Sequence, residues 1–138
     1  MQSWQRAFRA GLAPLLTLKG LIVLAAALET DDVRLDQGCT TVPQAGEEWF
    51  ESFPVQQCCA LALAILEGEG LETVTDVHGR FLEICDQASQ RLGDPGAVAA
   101  FIRWHDDTPR HDMRRLLLIE VEAAIVGRRL PPGALPAA

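Results

Sequence analysis

Glu120 is the ionisable residue whose position in the sequence points most directly to chemistry. At about 100° per residue, Met113, Leu117 and Ala124 surround one direction of a helix predicted over residues 109–126, and Glu120 lies at its centre. A carboxylate that faces a core is costly unless it is paired. The favoured expectation is a buried ion pair with an arginine or a histidine. An interface position and an acid–base or metal-binding role are the alternatives.

Histidine and aspartate are concentrated in one turn between two predicted helices, at His105, Asp106, Asp107, His111 and Asp112. These side chains can bind divalent metals, but their spacing matches no known ligand pattern. Aspartates at such positions also cap helices and favour a helix N-terminus. We therefore expect helix capping here, with a metal site as the alternative, and we expect no cofactor.

Three arginines near the start of the last predicted helix give this hairpin the outline of a helix-turn-helix: Arg110, Arg114 and Arg115. They could contact phosphates or the surface of a protein partner. The charge distribution argues against duplex nucleic acid, because residues 29–107 carry 16 acidic residues and 4 arginines within a chain of net charge −7. A solvated basic face or a protein contact is therefore favoured over nucleic-acid binding.

Nucleophile and nucleotide motifs are lacking in the sequence. Cys58 and Cys59 lie in the most apolar stretch and Cys85 lies on an apolar stripe, so we expect reduced, buried thiols in a cytoplasmic protein. His78 lies at the edge of the same stripe and is expected to be a hydrogen-bonded, partly buried polar residue. No side chain here identifies a catalytic residue.

The elements that position these residues are predicted to be helices over residues 4–10, 18–30, 54–67, 74–92, 95–105 and 109–126. Residues 58–66 are apolar on every side, which is typical of a helix at the centre of a core. The fold predicted is therefore an all-α, single-domain bundle of five to six helices over residues 1–129, packed around a central apolar helix at about 54–67. Residues 130–138 are predicted to form a proline-rich tail.

Residues 33–53 are the least regular part of the sequence, and they contain Trp49, Phe50 and Phe53. Large aromatic side chains bury much surface, so this segment is expected either to be a connector packed on the core or to form a binding loop. Residues 1–28 have basic residues followed by an apolar run, which leaves an export signal as an alternative. No stretch reaches the roughly 20 apolar residues of a membrane span, so no membrane insertion is expected.

The function favoured by these patterns is non-enzymatic: a helical protein–protein interaction module, adaptor or small subunit of an assembly, binding a protein partner or a second copy of itself. Its expected contacts are Trp49, Phe50 and Phe53 or the three arginines of the last helix. The alternatives are a small metal-binding protein or enzyme that uses Glu120 with nearby histidines, and a nucleic-acid binder that uses the arginines.

Overall fold

The computed structural model describes residues 1–45 and 53–130, and this part of the chain is mainly helical. A π-helical segment at Ala7–Leu12 and a 3-10 turn at Ala13–Leu15 follow the first helix. One small antiparallel sheet pairs the two short strands Thr41–Val42 and Gln57–Cys58. The all-α prediction is confirmed. The elements are α1 (Ser3–Arg6), α2 (Leu18–Thr30), β1 (Thr41–Val42), β2 (Gln57–Cys58), α3 (Ala60–Glu69), α4 (Val74–Leu92), α5 (Ala97–Asp107) and α6 (Arg110–Arg129).

Helix α2 packs against both α3 and α6, and its backbone approaches that of α3 closely at Gly20. Gly20 on α2 and Gly68 on α3 make this approach possible, because a Cβ atom at Gly20 would collide with the carbonyl oxygen of Ala64. The Thr17 hydroxyl caps α2 by accepting a hydrogen bond of 2.9 Å from the Gly20 N–H. Two glycines and one cap therefore fix the pair of helices at the middle of the protein.

The central helix α3 begins at Ala60, so the start predicted at residue 54 is wrong. The backbone of Cys58 is extended because its N–H donates to Arg34 O at 2.7 Å and its carbonyl accepts from Asp36 N–H at 2.8 Å. Residues 60–65 are all buried, which agrees with an apolar helix inside the core. The non-local hydrogen bonds of β2 override the helical pattern in the residues before α3.

The N-terminal helix does not end at Gly11 as its sequence suggests. The chain continues in π-helical geometry to Leu12, and Gly11 is buried where an added Cβ would meet the side chain of Leu92. The rings of Trp4 and Trp104 stack with centroids 3.5 Å apart, and this contact packs α1 against α5. Gly11 therefore serves a close approach between elements rather than a helix end.

Helices α2 and α4 have the bounds that their sequence patterns predict, whereas α5 and α6 differ at their ends. Helix α6 begins at Arg110 and passes through Gly127 to Arg129. Its last turn is held by Arg128, whose Nη2 donates to the carbonyls of Ala13, Pro14 and Leu16 at 2.6–3.0 Å. This contact explains why a glycine expected to end the helix does not end it.

One continuous cluster of buried side chains runs from Trp4 to Val121 and joins all six helices. Among the residues described, no helix is both long and apolar enough to cross a membrane. The predicted proline-rich tail lies outside the described residues, apart from Leu130.

Candidate functional site

A cavity of about 170 Å³ lies between the start of α3, the middle of α4, the end of α5 and the segment 38–40. Four apolar side chains line it: Leu61, Phe81, Phe101 and Ile102. Polar atoms come from Cys59, His105, Asp106 and residues 38–40. We call this the His105 cavity. Its lining combines apolar side chains with a few polar groups, which is the usual composition of a small-molecule site.

His105 is 2% exposed and makes two hydrogen bonds that define its protonation state. Its Nε2 accepts from the Ala60 N–H at 3.3 Å, and its Nδ1 lies 2.8 Å from Asp106 Oδ1. Because Nε2 is an acceptor, the proton resides on Nδ1 and is donated to the carboxylate. Burial lowers the pKa of His105, although Asp106 opposes this effect, so the imidazole is neutral at pH 7.

The same contact completes the start of α3. The first N–H groups of a helix have no partner within the helix. Here Ala60 N–H is bound by His105 Nε2, and Ala62 N–H donates to the Cys59 sulfur at 3.4 Å. His105 and Cys59 therefore cap α3 together, and both line the cavity beside it.

Cys59, His105 and Asp106 are residue types that occur in nucleophilic catalytic sites. Burial raises the pKa of the Cys59 thiol to about 12, against the opposing effect of the hydrogen bond from Ala62 N–H. The thiol is therefore protonated at neutral pH. The base that would deprotonate the thiol is His105, and its acceptor nitrogen Nε2 already accepts a hydrogen bond from Ala60 N–H. His105 is therefore not available to deprotonate Cys59.

The segment that closes the cavity is held on the C-terminal end of α5. Gln37 Nε2 donates to the carbonyl oxygens of His105 and Thr108, at 2.6 and 2.7 Å. The Gly38 N–H donates to Asp106 Oδ1 at 3.1 Å. The last carbonyls of a helix lack partners in the helix itself, and these bonds satisfy two of them. The wall of the cavity is thus fixed to the helix that supplies His105.

A second cavity, of about 250 Å³, lies on the other side of this wall. It is lined by residues 38–41, Gln44, Ala45 and His78, and it shares Gly38, Cys39 and Thr40 with the His105 cavity. His78 is partly buried as predicted, but its buried Nδ1 has no hydrogen-bond partner within the described chain. A buried polar atom of this kind is suited to a water molecule or a ligand group.

Glu120 lies away from both cavities and pairs with Arg9 of the π-helical segment. This agrees with the favoured expectation of an ion pair with arginine. Within the described residues, no histidine forms a hydrogen bond or an ion pair with Glu120, so the combination of Glu120 with histidines that the sequence suggested is not brought together. Among the residues described, no three His, Cys, Asp or Glu side chains are grouped as metal ligands.

Two of the three arginines at the start of α6 are used inside the fold. Arg110 donates to Asp31 Oδ1 at 2.8 Å and to Leu35 O at 2.9 Å. Arg114 donates to Leu28 O at 2.8 Å, which is one of the last carbonyls of α2. The cationic groups thereby lie at the negative end of that helix. Of the three, Arg115 is the most exposed.

Of the three aromatic residues predicted as a contact surface, the structure describes Phe53. Phe53 is 44% exposed, while Trp49 and Phe50 lie outside the described residues. Sequence reasoning missed Cys59 as the residue that caps α3 beside His105, because a helix predicted from residue 54 hides a capping position at 59. Searches of protein families, curated proteins and solved structures found no match to this chain.

Proposed function

We propose that this protein binds a small molecule in the His105 cavity, with an apolar body of about one ring and a hydrogen-bond-donating head group. The observation that carries the proposal is a cavity of about 170 Å³ whose apolar lining adjoins the carboxylate of Asp106. An apolar cavity of about 150 Å³ is large enough for benzene. The volume therefore selects a ligand of roughly that size.

The head group is specified by Asp106. Its Oδ1 accepts hydrogen bonds from His105 Nδ1 and Gly38 N–H, while its Oδ2 accepts none from the described part of the chain. Because His105 is neutral, it supplies no positive charge to offset the carboxylate. A ligand amine would form a charge-assisted hydrogen bond here, whereas a ligand carboxylate would be repelled.

Binding is favoured over nucleophilic catalysis by the state of Cys59. A reactive cysteine needs its thiolate, which is stabilised by nearby positive charge and partial exposure. Burial, and to a smaller extent the negative charge of Asp106, raise the pKa of the Cys59 thiol and so act against a thiolate. The polar groups of the cavity are therefore best suited to orienting a ligand.

Two probes test this proposal, benzylamine and toluene, which share a ring and differ in the amine. Amide chemical shifts in ¹⁵N-labelled protein report binding at the cavity. We expect benzylamine to shift resonances of residues 38–40, 59–62 and 101–106, and to bind more tightly than toluene. Asp106→Asn should weaken benzylamine by about tenfold and leave toluene unchanged, since only the amine uses the carboxylate.

A cavity-filling variant provides the spatial control. Ile102→Trp places an indole in the cavity and should abolish binding of both probes. Ile22→Trp makes the same change on α2, outside the cavity lining, and should leave binding intact. The spectrum without probe confirms that each variant is folded. If neither probe shifts the cavity resonances at millimolar concentration, or if Ile102→Trp binds normally, the proposal is wrong.

A further inference from the structure

The second cavity, which we call the His78 cavity, is separate in its chemistry from the site proposed for ligand binding. Residues 38–41 with Gln44 and Ala45 form one side of it, and His78 of α4 lies on the other. These described lining residues include no aspartate, glutamate, lysine or arginine. Because no side chain of these types is present to offset an ionic group, the cavity favours a neutral, polar occupant.

His78 gives this cavity an unsatisfied hydrogen-bonding atom. Among the described residues, its Nδ1 is the buried side-chain nitrogen that has no hydrogen-bond partner, and such an atom costs free energy while it stays unpaired. The imidazole is held beside Phe81, with the two ring centroids 6.5 Å apart. A hydroxyl group both donates and accepts, so it can bond to Nδ1 in either tautomer of the ring. The neutral polar group that suits His78 is therefore a hydroxyl.

Cys39 places a thiol on the opposite side of the same cavity. It is partly exposed, and its Sγ accepts a hydrogen bond of 3.1 Å from Gln44 Nε2. The reacting form of a cysteine is the thiolate, which accepts such a bond more strongly than a thiol does. The contact with Gln44 therefore suits a sulfur that acts as a nucleophile.

The other three cysteines are held in the unreactive thiol form. Burial raises the pKa of Cys58 and Cys59 to about 12 and that of Cys85 to about 11. These three residues lie outside the lining of the His78 cavity, and the Cys59 sulfur is already bound to the Ala62 N–H. The surroundings of the four cysteines therefore direct the reaction with a small molecule to Cys39.

We propose that Cys39 is a site of thiol–disulfide exchange, at which a small hydroxyl-bearing disulfide leaves one of its halves in the His78 cavity. The Cys39 thiolate attacks one sulfur of that disulfide, so a new S–S bond forms while the original S–S bond breaks. The leaving thiolate takes up, through solvent, the proton that Cys39 released. The number of S–S bonds is unchanged, and no further oxidant is needed. The attached group places its hydroxyl on His78 Nδ1, and the reaction requires no ligand in the His105 cavity.

Equilibration with two disulfides, each mixed with its own thiol, tests this proposal. The probes are 2-hydroxyethyl disulfide and diethyl disulfide, which differ in the hydroxyl. Acid quenching and peptide mass analysis measure the mixed disulfide at each cysteine, and N-acetylcysteine is the reference thiol for both probes. We expect one mixed disulfide per folded chain, at Cys39. Relative to the reference, its equilibrium constant should be about fivefold larger with the hydroxyethyl probe, the factor given by one ordinary hydrogen bond.

The variant His78→Phe distinguishes a built site from simple exposure of Cys39. Phenylalanine keeps a ring beside Phe81 and removes Nδ1, so Cys39 should still react but with equal relative constants for the two probes. His111→Phe makes the same change at an exposed histidine outside the cavity lining and should retain the fivefold preference. Equal constants for the two probes in the wild type overturn the proposal, as do a preference that His78→Phe retains and modification of another cysteine before Cys39.

Discussion

Arg9 donates from Nη2 to both carboxylate oxygens of Glu120, at 2.7 and 2.8 Å, across 111 residues of sequence. The Glu120 side chain is 2% exposed and that of Arg9 is 53% exposed, so the carboxylate is inside and its partner reaches in from the surface. The pair connects the π-helical segment to α6. It explains how an acidic residue is tolerated on the buried side of that helix.

Removing the arginine should destabilise the fold. Arg9→Met is expected to lower the free energy of unfolding by about 2 kcal/mol, less than the ~3–5 kcal/mol typical of a fully buried pair, because water reaches Arg9. Urea denaturation measures the change. The double variant Arg9→Met, Glu120→Met should return to within about 1 kcal/mol of the wild type, since no charge is then left buried. A loss below about 0.5 kcal/mol in Arg9→Met would show that Glu120 is stable without its partner.

The neutral state of His105 predicts a pH dependence of stability. Burial lowers the pKa of His105 in the folded protein below its ordinary value of 6.5. The unfolded chain therefore binds a proton first as the pH falls, which favours unfolding. Above pH 6.5, the contribution of His105 to the free energy of unfolding should be constant. Below pH 6.5, the free energy of unfolding should decrease as the pH falls towards the pKa of His105 in the folded protein.

His105→Gln isolates this effect, because glutamine can accept from Ala60 N–H but does not titrate. Melting temperature measured from pH 8 to pH 5 should lose most of its decrease below pH 6.5 in this variant. Hydrogen bonds from Arg34 hold the pKa of Asp32 below its ordinary value of 3.8. Asp32 therefore titrates below the pH range of this experiment and does not interfere. If the melting temperature of His105→Gln falls below pH 6.5 as much as that of the wild type, the fall is due to another titratable group.

The close crossing of α2 and α3 predicts opposite effects for two glycine substitutions. Gly20→Ala should cost about 1–3 kcal/mol or more, because its Cβ would collide with the backbone carbonyl of Ala64. Gly79→Ala is the matched control: it lies within α4 with no atom near the added Cβ, so it should gain about 0.5–1 kcal/mol. Thermal unfolding of both variants checks the prediction, and equal effects would contradict it.

The raised pKa values of two thiols predict slow alkylation of the folded protein. Burial raises the pKa of both Cys58 and Cys59 to about 12, so few thiolates exist at neutral pH. Site-resolved labelling with iodoacetamide should be at least about 100-fold slower at these two residues in the folded protein than in urea. Rapid labelling of Cys59 in the folded state would reveal an activated thiolate and reopen a catalytic interpretation.

Local patterns in the sequence predicted the helices whose ends are set by nearby residues. Thr17 and Thr73 cap α2 and α4, and Gly70 and Gly93 end α3 and α4 in left-handed conformation. The core-facing position of Glu120 also followed from periodicity. Such features depend on interactions within about one helical turn, which a sequence displays directly.

Tertiary structure decided the features that depend on partners far along the chain. Cys58 is extended because the backbone of Arg34 and Asp36 binds it, and α6 runs past Gly127 because Arg128 reaches the turn after the π-helical segment. The identity of Arg9 as the partner of Glu120 was likewise not readable from spacing. The cavity exists because the intervening chain returns His105 to the start of α3, 45 positions after Ala60. Periodicity tells which side of a helix is buried, but only the path of the connecting segments determines what it is buried against.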